Sequence, residues 1–198
     1  MKILYSPASP YSAKVRMAAQ HAGMDLESVI VETSKDPAEL ISANPLGKIP
    51  TLVLDDGRGI HDSRAIMHYL DREGSRRIYP RKGEKRTDAE VLEALADGIC
   101  DCLLAIVYEK RMRPEEKVHQ DWIERQWAKA ERGMDHLEAN MPRLGKTLHG
   151  GHFSVAAMTS YLALRFPGQW ERGRPKLKAF SRKFSISFPE LDGLRPKG

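Results

Sequence analysis

Cysteine is scarce in this sequence, whose 198 residues include only Cys100 and Cys102. The two lie two positions apart on a predicted helix, so their side chains point to nearly opposite sides, and a disulfide between them is not expected. The simplest interpretation is that both are small apolar residues of the interior.

Long apolar runs are also absent. One of the longest, Leu103–Tyr108, is preceded by Asp101 and is far shorter than the roughly 18 residues that a membrane span requires. Met1 and Lys2 lead directly into a strand-like segment, without the apolar stretch and small-residue cleavage site of a secretory signal. We therefore predict a cytoplasmic protein with no membrane partner.

The excess of positive charge does not indicate nucleic acid. The formal net charge is +5, and much of the excess lies in residues 76–77, 81–86 and 172–183. Interleaved proline, glycine and glutamate make the segment 81–86 typical of a solvated linker, and no recognisable nucleic-acid module accompanies it. The seven histidines are scattered without a metal-ligand pattern, so we predict neither a nucleic-acid partner nor a metal.

The composition is that of a soluble globular protein, with 41% hydrophobic and 30% charged residues. Periodicity and turn signals divide the chain into an α/β region over residues 1–76, a linker over 77–86 and an all-helical region over 87–198. The first region is predicted to have the order βαβαββα, which resembles a thioredoxin-like domain. Its predicted elements are strands at 2–5, 26–32, 51–54 and 59–61 and helices at 10–21, 37–43 and from 63. The predicted helices of the second region are 87–111, 115–140, 154–165 and 175–185.

A short segment, Ser9-Pro10-Tyr11-Ser12, opens the first predicted helix. It resembles the turn in which glutaredoxins carry Cys-Pro-Tyr-Cys, but serine at both positions rules out disulfide exchange there, since that chemistry needs a thiolate. A hydroxyl beside free helix amides could instead stabilise a ligand's thiolate. Lowering a thiol pKa of about 8.5 by about two units corresponds to roughly 2.7 kcal/mol. The alternative for Ser9 alone is an ordinary helix N-cap.

Two further segments favour a ligand site. Pro50 begins a predicted strand and is a candidate for a cis peptide, in which case Ile49 could pair, strand-fashion, with an extended peptide. An ordinary trans bond is the alternative. Asp62 and Ser63 begin the next helix; together they could hold an ammonium group and a carboxylate, although each is also a suitable helix cap.

These segments resemble the glutathione S-transferase superfamily over nearly the whole chain. The matching motifs are S-P-x-S-P-Y-S-x-K-V-R, N-P-x-G-K-I-P-T-L and D-S-R-A-I-x-x-Y-L, and the helical half matches more weakly. The resemblance implies that glutathione is the co-substrate, that the protein is a homodimer and that Ser9, in the turn with Pro10 and Tyr11, faces the sulfur as the catalytic residue. It also implies roles for Ile49 and cis-Pro50 at the cysteinyl backbone, for Asp62 and Ser63 at the γ-glutamyl end, and for Lys35 or Lys48 at the glycyl carboxylate.

The sequence departs from the family's pattern in the helix expected to begin around Ser154. Family members commonly have a capping box S-x-x-D there, whereas this chain has Ser154-Val155-Ala156-Ala157, so the reciprocal cap is missing. The electrophile is expected between the domains, against residues 99–113, with Tyr108, Arg111 and Met112 as candidate lining residues. An aromatic, a basic residue and a methionine near a helix end are also ordinary surface residues.

Three functions are compatible with this pattern. The first is a transferase that ionises glutathione and directs its sulfur at a small electrophile. The second is a glutathione- or protein-binding protein of the same fold with little turnover. The third, a glutathione-dependent disulfide reductase, is disfavoured because the turn has no cysteine and Cys100 or Cys102 would have to supply the thiol.

Overall fold

The computed structural model describes all residues from Met1 to Gly198. The N-terminal region contains a four-stranded sheet with helices packed against it, and the rest of the chain is helical. The N-terminal elements are β1 (Lys2–Tyr5), α1 (Pro10–His21), β2 (Glu27–Ile30), a 3-10 turn (Thr33–Lys35), α2 (Ala38–Ala43), β3 (Thr51–Val53), β4 (Gly59–Ile60) and α3 (Ser63–Glu73). The helical elements are α4 (Gly83–Met112), a 3-10 turn (Glu115–Lys117), α5 (Gln120–Ala139), α6 (Gly150–Arg165), α7 (Pro175–Ser187) and α8 (Pro189–Asp192).

The sheet of the N-terminal region contains both parallel and antiparallel strand pairs. Its strand order is β2-β1-β3-β4, with β1 and β2 parallel and the other two pairs antiparallel. Ile3 lies opposite Leu52 on neighbouring strands, and both are fully buried. The predicted class, a thioredoxin-like α/β domain followed by an all-α domain, is confirmed.

Helix α1 joins the two domains. Its small apolar residues Ala13, Val15, Ala18 and Ala19 are buried, and the helix packs against α3 on one side and α6 on the other. One hydrophobic core of 39 buried residues therefore runs through both domains. The first turn of α1 is consequently held at the junction between them.

Two helices begin earlier than the sequence predicts. Helix α4 begins at Gly83, inside the segment 77–86 that was expected to be linker, because the charged residues that follow Gly83 continue the helix on its solvent-exposed side. Helix α6 begins at Gly150 and not near Ser154, which lies one turn inside it and donates its Oγ hydrogen to the carbonyl of Gly150 at 3.1 Å. The predicted start of this helix near Ser154 is therefore wrong.

The true start of α6 depends on His149, Gly150 and His152. The backbone amide of His149 donates to Nδ1 of His152 at 3.2 Å. A Cβ on Gly150 would lie 2.6 Å from the ring of Tyr79 and 2.7 Å from the carboxylate of Glu93. Glycine is present because the backbone of α6 approaches these two side chains too closely for any other residue.

Candidate active site

The turn before α1 presents the hydroxyl of Ser9 at the N-terminus of a 12-residue helix. Ser9 has extended backbone geometry, and its Oγ accepts a hydrogen bond from the amide of Ser12 at 3.2 Å, so it is the N-cap. A hydroxyl has one donor and two acceptor positions. Because the Ser9 hydroxyl donates to no protein acceptor, its proton is free for a ligand, and capping is compatible with ligand binding.

The neighbours of Ser9 have different roles. Pro10 is buried as the first residue of α1. Tyr11 donates its hydroxyl hydrogen to the carboxylate of Asp101 on α4, and burial, with that carboxylate nearby, raises its pKa well above the usual range. Ser12 is fully buried, and its Oγ has no hydrogen-bond partner. Of the two serines that replace the glutaredoxin cysteines, only Ser9 is therefore accessible.

The loop before β3 is organised by Asn44. Its side-chain amide donates to the carbonyl of Lys48 at 2.9 Å and to Oγ1 of Thr51 at 3.2 Å. The Ile49–Pro50 peptide bond is cis, as predicted. The backbone amide and carbonyl of Ile49 form no hydrogen bond within the protein. They leave one unpaired donor and one unpaired acceptor beside the cleft, which an extended peptide could use.

The start of α3 provides a second pair of polar groups. Asp62 is the N-cap, since its Oδ1 accepts from the amide of Arg64 at 3.0 Å. Its side chain is exposed, and Oδ2 remains available. Ser63 is the first helical residue and is only 4% exposed. Asp62 therefore caps the helix, and both residues line the same cleft.

These three segments and two helices of the second domain line one cleft of about 540 Å³. Ten of the twelve predicted site residues line it: Ser9, Pro10, Tyr11, Lys48, Ile49, Pro50, Asp62, Ser63, Tyr108 and Arg111. Lys35 and Met112 do not. Lys35 pairs with Glu32 at 2.7 Å, and Met112, the last residue of α4, is turned to solvent with 66% of its surface exposed.

The cleft also contains residues that local sequence reasoning missed. On α4 they are Asp97, Asp101, Leu104 and Val107, and on α6 they are Tyr161 and Arg165. The α4 residues that line the cleft recur at three- and four-residue steps, so they form one stripe of the helix. That spacing was the only signal available for them. Nothing local marks Tyr161 or Arg165, because α6 is positioned at the cleft by its packing on α1 and α4.

A buried ion cluster adjoins the cleft at Asp97, which marks the end of the cleft that we call the inner end. Lys14 of α1 is fully buried, and its Nζ lies 2.8 Å from Glu93 Oε1 and 2.5 Å from Asp97 Oδ2. Tyr79 donates its hydroxyl hydrogen to Glu93. Burial raises the pKa of Asp97, and the charge of Lys14 acts in the opposite direction. This cluster ties α1, and hence the turn containing Ser9, to α4.

The cysteines lie outside the cleft. Cys100 is buried and Cys102 partly buried, and neither is among the lining residues. Burial raises the pKa of both thiols. A thiolate is the reactive form, so neither residue is placed for the disulfide exchange that the reductase hypothesis requires. No group of three or more histidine, cysteine, aspartate or glutamate side chains is arranged to hold a metal ion, and no helix is long and apolar enough to span a membrane.

Comparison with known proteins places the chain in a family. Residues 8–73 match the model of the glutathione S-transferase N-terminal domain, and residues 120–183 match that of the C-terminal domain. The chain is 30% identical over 183 residues to the Escherichia coli (strain K12) protein called "Uncharacterized GST-like protein YibF", covering 89% of this chain and 90% of the relative. The chain belongs to the glutathione S-transferase superfamily.

Two solved structures of similar proteins contain glutathione. A glutathione S-transferase from Methylobacillus flagellatus KT, solved with glutathione bound, is 33% identical and superimposes with a TM-score of 0.88 over 99% of both chains. A glutathione transferase family member from Pseudomonas fluorescens Pf-5, also with bound glutathione, is 34% identical with a TM-score of 0.90, covering 100% of this chain and 99% of the other.

Proposed function

We propose that this protein is a glutathione transferase that binds glutathione in the interdomain cleft and stabilises its thiolate for attack on a small electrophile. The observation that carries the proposal is the Ser9 hydroxyl, whose unused hydrogen faces the cleft at the positive end of α1. The glutathione-bound relatives described above support the choice of ligand.

The proposed pose uses the free polar groups of the first domain. The cysteinyl backbone pairs with the unpaired amide and carbonyl of Ile49, which places the sulfur near Ser9. Asp62 accepts from the γ-glutamyl ammonium group, and Ser63 donates to its carboxylate. Lys48, exposed and without an acidic partner, is the better candidate for the glycyl carboxylate, because Lys35 is paired with Glu32 outside the cleft.

The chemistry requires no covalent enzyme intermediate. The thiol proton leaves to solvent, and the hydroxyl of Ser9 and the dipole of α1 stabilise the resulting thiolate. The sulfur lone pair then forms the bond to the electrophilic carbon, while the leaving group departs with its bonding electrons. Tyr11 does not donate a proton to the reaction, because its hydroxyl already donates to Asp101 and its pKa is raised.

The first prediction concerns the thiol pKa. Following thiolate absorbance in the ultraviolet while glutathione is titrated, we expect a bound thiol pKa about two units below its free value. Ser9→Ala should return it to the free value because the donor is lost. Ser12→Ala is the matched control: it removes a buried hydroxyl with no partner in the same turn, and it should leave the pKa lowered.

Each outcome assigns a function. Loss of the shift in Ser9→Ala alone supports the transferase. Binding of glutathione with an unshifted pKa in the unmodified protein would instead identify a binding protein of the same fold. The variants should be compared below their unfolding temperatures, since loss of an N-cap costs about 1 kcal/mol of stability.

The assembly and location follow the family expectation. We propose a cytoplasmic homodimer in which the N-terminal domain of one subunit packs on the helical domain of the other. Sedimentation that shows only a 22.4 kDa species at micromolar concentration would contradict the dimer.

A further inference from the structure

The outer end of the cleft differs in character from the end occupied by Ser9. On α4, Leu104, Val107, Tyr108 and Arg111 follow one another at helical spacing and line the cleft. Arg165, the last residue of α6, lines the same region one turn after Tyr161. Two guanidinium groups from different helices therefore border a partly apolar wall.

Neither guanidinium group has a partner within the protein. Arg111 and Arg165 form no ion pair and no side-chain hydrogen bond, whereas nearby Arg113 pairs with Glu109 at 2.9 Å. The two carboxylates on the cleft's stripe of α4 are both engaged elsewhere: Asp97 with Lys14, and Asp101 with Tyr11. No acidic side chain of the cleft therefore pairs with Arg111 or Arg165.

Tyr161 of α6 lines the cleft together with the two arginines. Burial raises the pKa of its hydroxyl to about 12, and the charges of Arg165 and Arg111 act in the opposite direction. Arg111 and Arg165 line the same cleft as this hydroxyl, which keeps its proton at neutral pH. The outer end therefore contains two guanidinium groups and the uncharged hydroxyl of Tyr161. No negatively charged side chain there pairs with either arginine.

We infer that Arg111 and Arg165 make the cleft selective for electrophiles that carry a carboxylate remote from the reactive carbon. This rests on the proposed function, because the reactive carbon must lie at the sulfur while the carboxylate reaches the outer end. The apolar side chains of Leu104 and Val107 contact the part of the electrophile that lies between its reactive carbon and its carboxylate. The fork of an arginine fits a carboxylate with two parallel hydrogen bonds, which a neutral amide of the same shape cannot accept equally well.

Two product conjugates that differ only in charge provide the test. S-(4-carboxybenzyl)glutathione, S-(4-carbamoylbenzyl)glutathione and glutathione itself are titrated into the full chain by calorimetry. We expect the carboxylate conjugate to bind about tenfold more tightly than the amide, because two partly exposed charge pairs each contribute a few-fold in affinity. Arg111→Gln and Arg165→Gln should each reduce this ratio about threefold, and the double variant should abolish it.

The matched control is Arg113→Gln. It makes the same substitution two residues from Arg111, at an arginine that does not line the cleft, and should leave the ratio unchanged. Equal binding of the two conjugates alongside normal binding of glutathione overturns the inference and leaves the proposed function standing. A preference that survives in the double variant, or an equal loss of glutathione affinity in the arginine variants, also overturns it. Failure of glutathione itself to bind overturns both.

Discussion

Charged side chains lie at both ends of the cleft. At the inner end they are buried and paired, and at the outer end they are exposed and unpaired. At the inner end Lys14 is fully buried between Glu93 and Asp97. At the outer end Arg111 and Arg165 are exposed and have no acidic partner. A buried charge is retained only when it is paired, so the inner cluster serves the fold. The unpaired charges remain available to a ligand.

The largest expected effect comes from breaking the inner cluster. Lys14→Met removes the buried cation and leaves two buried carboxylates, of which only Asp97 keeps a cation nearby, the half-exposed Arg64 at 3.6 Å. The free energy of unfolding should therefore fall by about 3–5 kcal/mol. Urea denaturation measures this. Lys48→Met is the matched control, since Lys48 is exposed and unpaired, and it should change stability by less than about 0.5 kcal/mol.

The charge explanation can be separated from loss of packing. Adding Glu93→Gln and Asp97→Asn to Lys14→Met removes the uncompensated charge while keeping the shape, so the triple variant should regain part of the lost stability. If the triple variant is no more stable than Lys14→Met alone, the cost of that substitution is one of packing, and the comparison between the two ends loses its basis.

A pH effect is expected beside the same cluster, where α6 begins. His152 is 3% exposed and stacks on His149, and burial lowers its pKa to about 3. The unfolded chain, with a histidine pKa of about 6.5, binds more protons between these values, so stability is full above pH 6.5 and falls as the pH drops. We expect about 2 kcal/mol less stability from this group at pH 5 than at pH 8.

His152→Asn tests this prediction. Asparagine cannot titrate but can still accept from the amide of His149 through its side-chain oxygen. Denaturant unfolding at pH 5 and pH 8 should therefore show a smaller difference in the variant than in the unmodified protein. An identical difference in both proteins would mean that His152 does not carry the acid sensitivity.

The smallest expected effect on stability concerns the two arginines at the outer end of the cleft. Arg111→Gln and Arg165→Gln should each change the free energy of unfolding by less than about 0.5 kcal/mol, because no protein group depends on either charge. Thermal unfolding of the apo protein measures this. A loss above about 1 kcal/mol would show that the outer arginines are structural after all.

Much of the fold follows from local sequence. The small apolar residues of α1, the proline in its first turn and the mixed order of strands and helices define the first domain without tertiary information. The start of α6 could not be predicted, because two glycines are poor helix formers and the reason for Gly150 lies in Tyr79 and Glu93, more than fifty residues away.

The candidate site also has a part that local sequence predicts and a part that it does not. Three segments of the cleft could be predicted because each contains a recognisable backbone motif. The motifs are the helix caps at Ser9 and Asp62 and the cis peptide bond before Pro50. Lys14 gave no such signal, since a lysine near the start of a helix is normally solvated, and its burial depends on two carboxylates of the other domain. Arg165 was missed because tertiary packing, not a local motif, brings α6 to the cleft.

The unbroken length of α4 has a consequence for how this protein can change over time. From Asp97 to Arg111 the helix advances 14 residues, roughly 21 Å, and substitutions that far apart act independently on stability. Residues at one end can therefore be exchanged to accommodate new reactants without disturbing the junction that keeps the two halves of the molecule together.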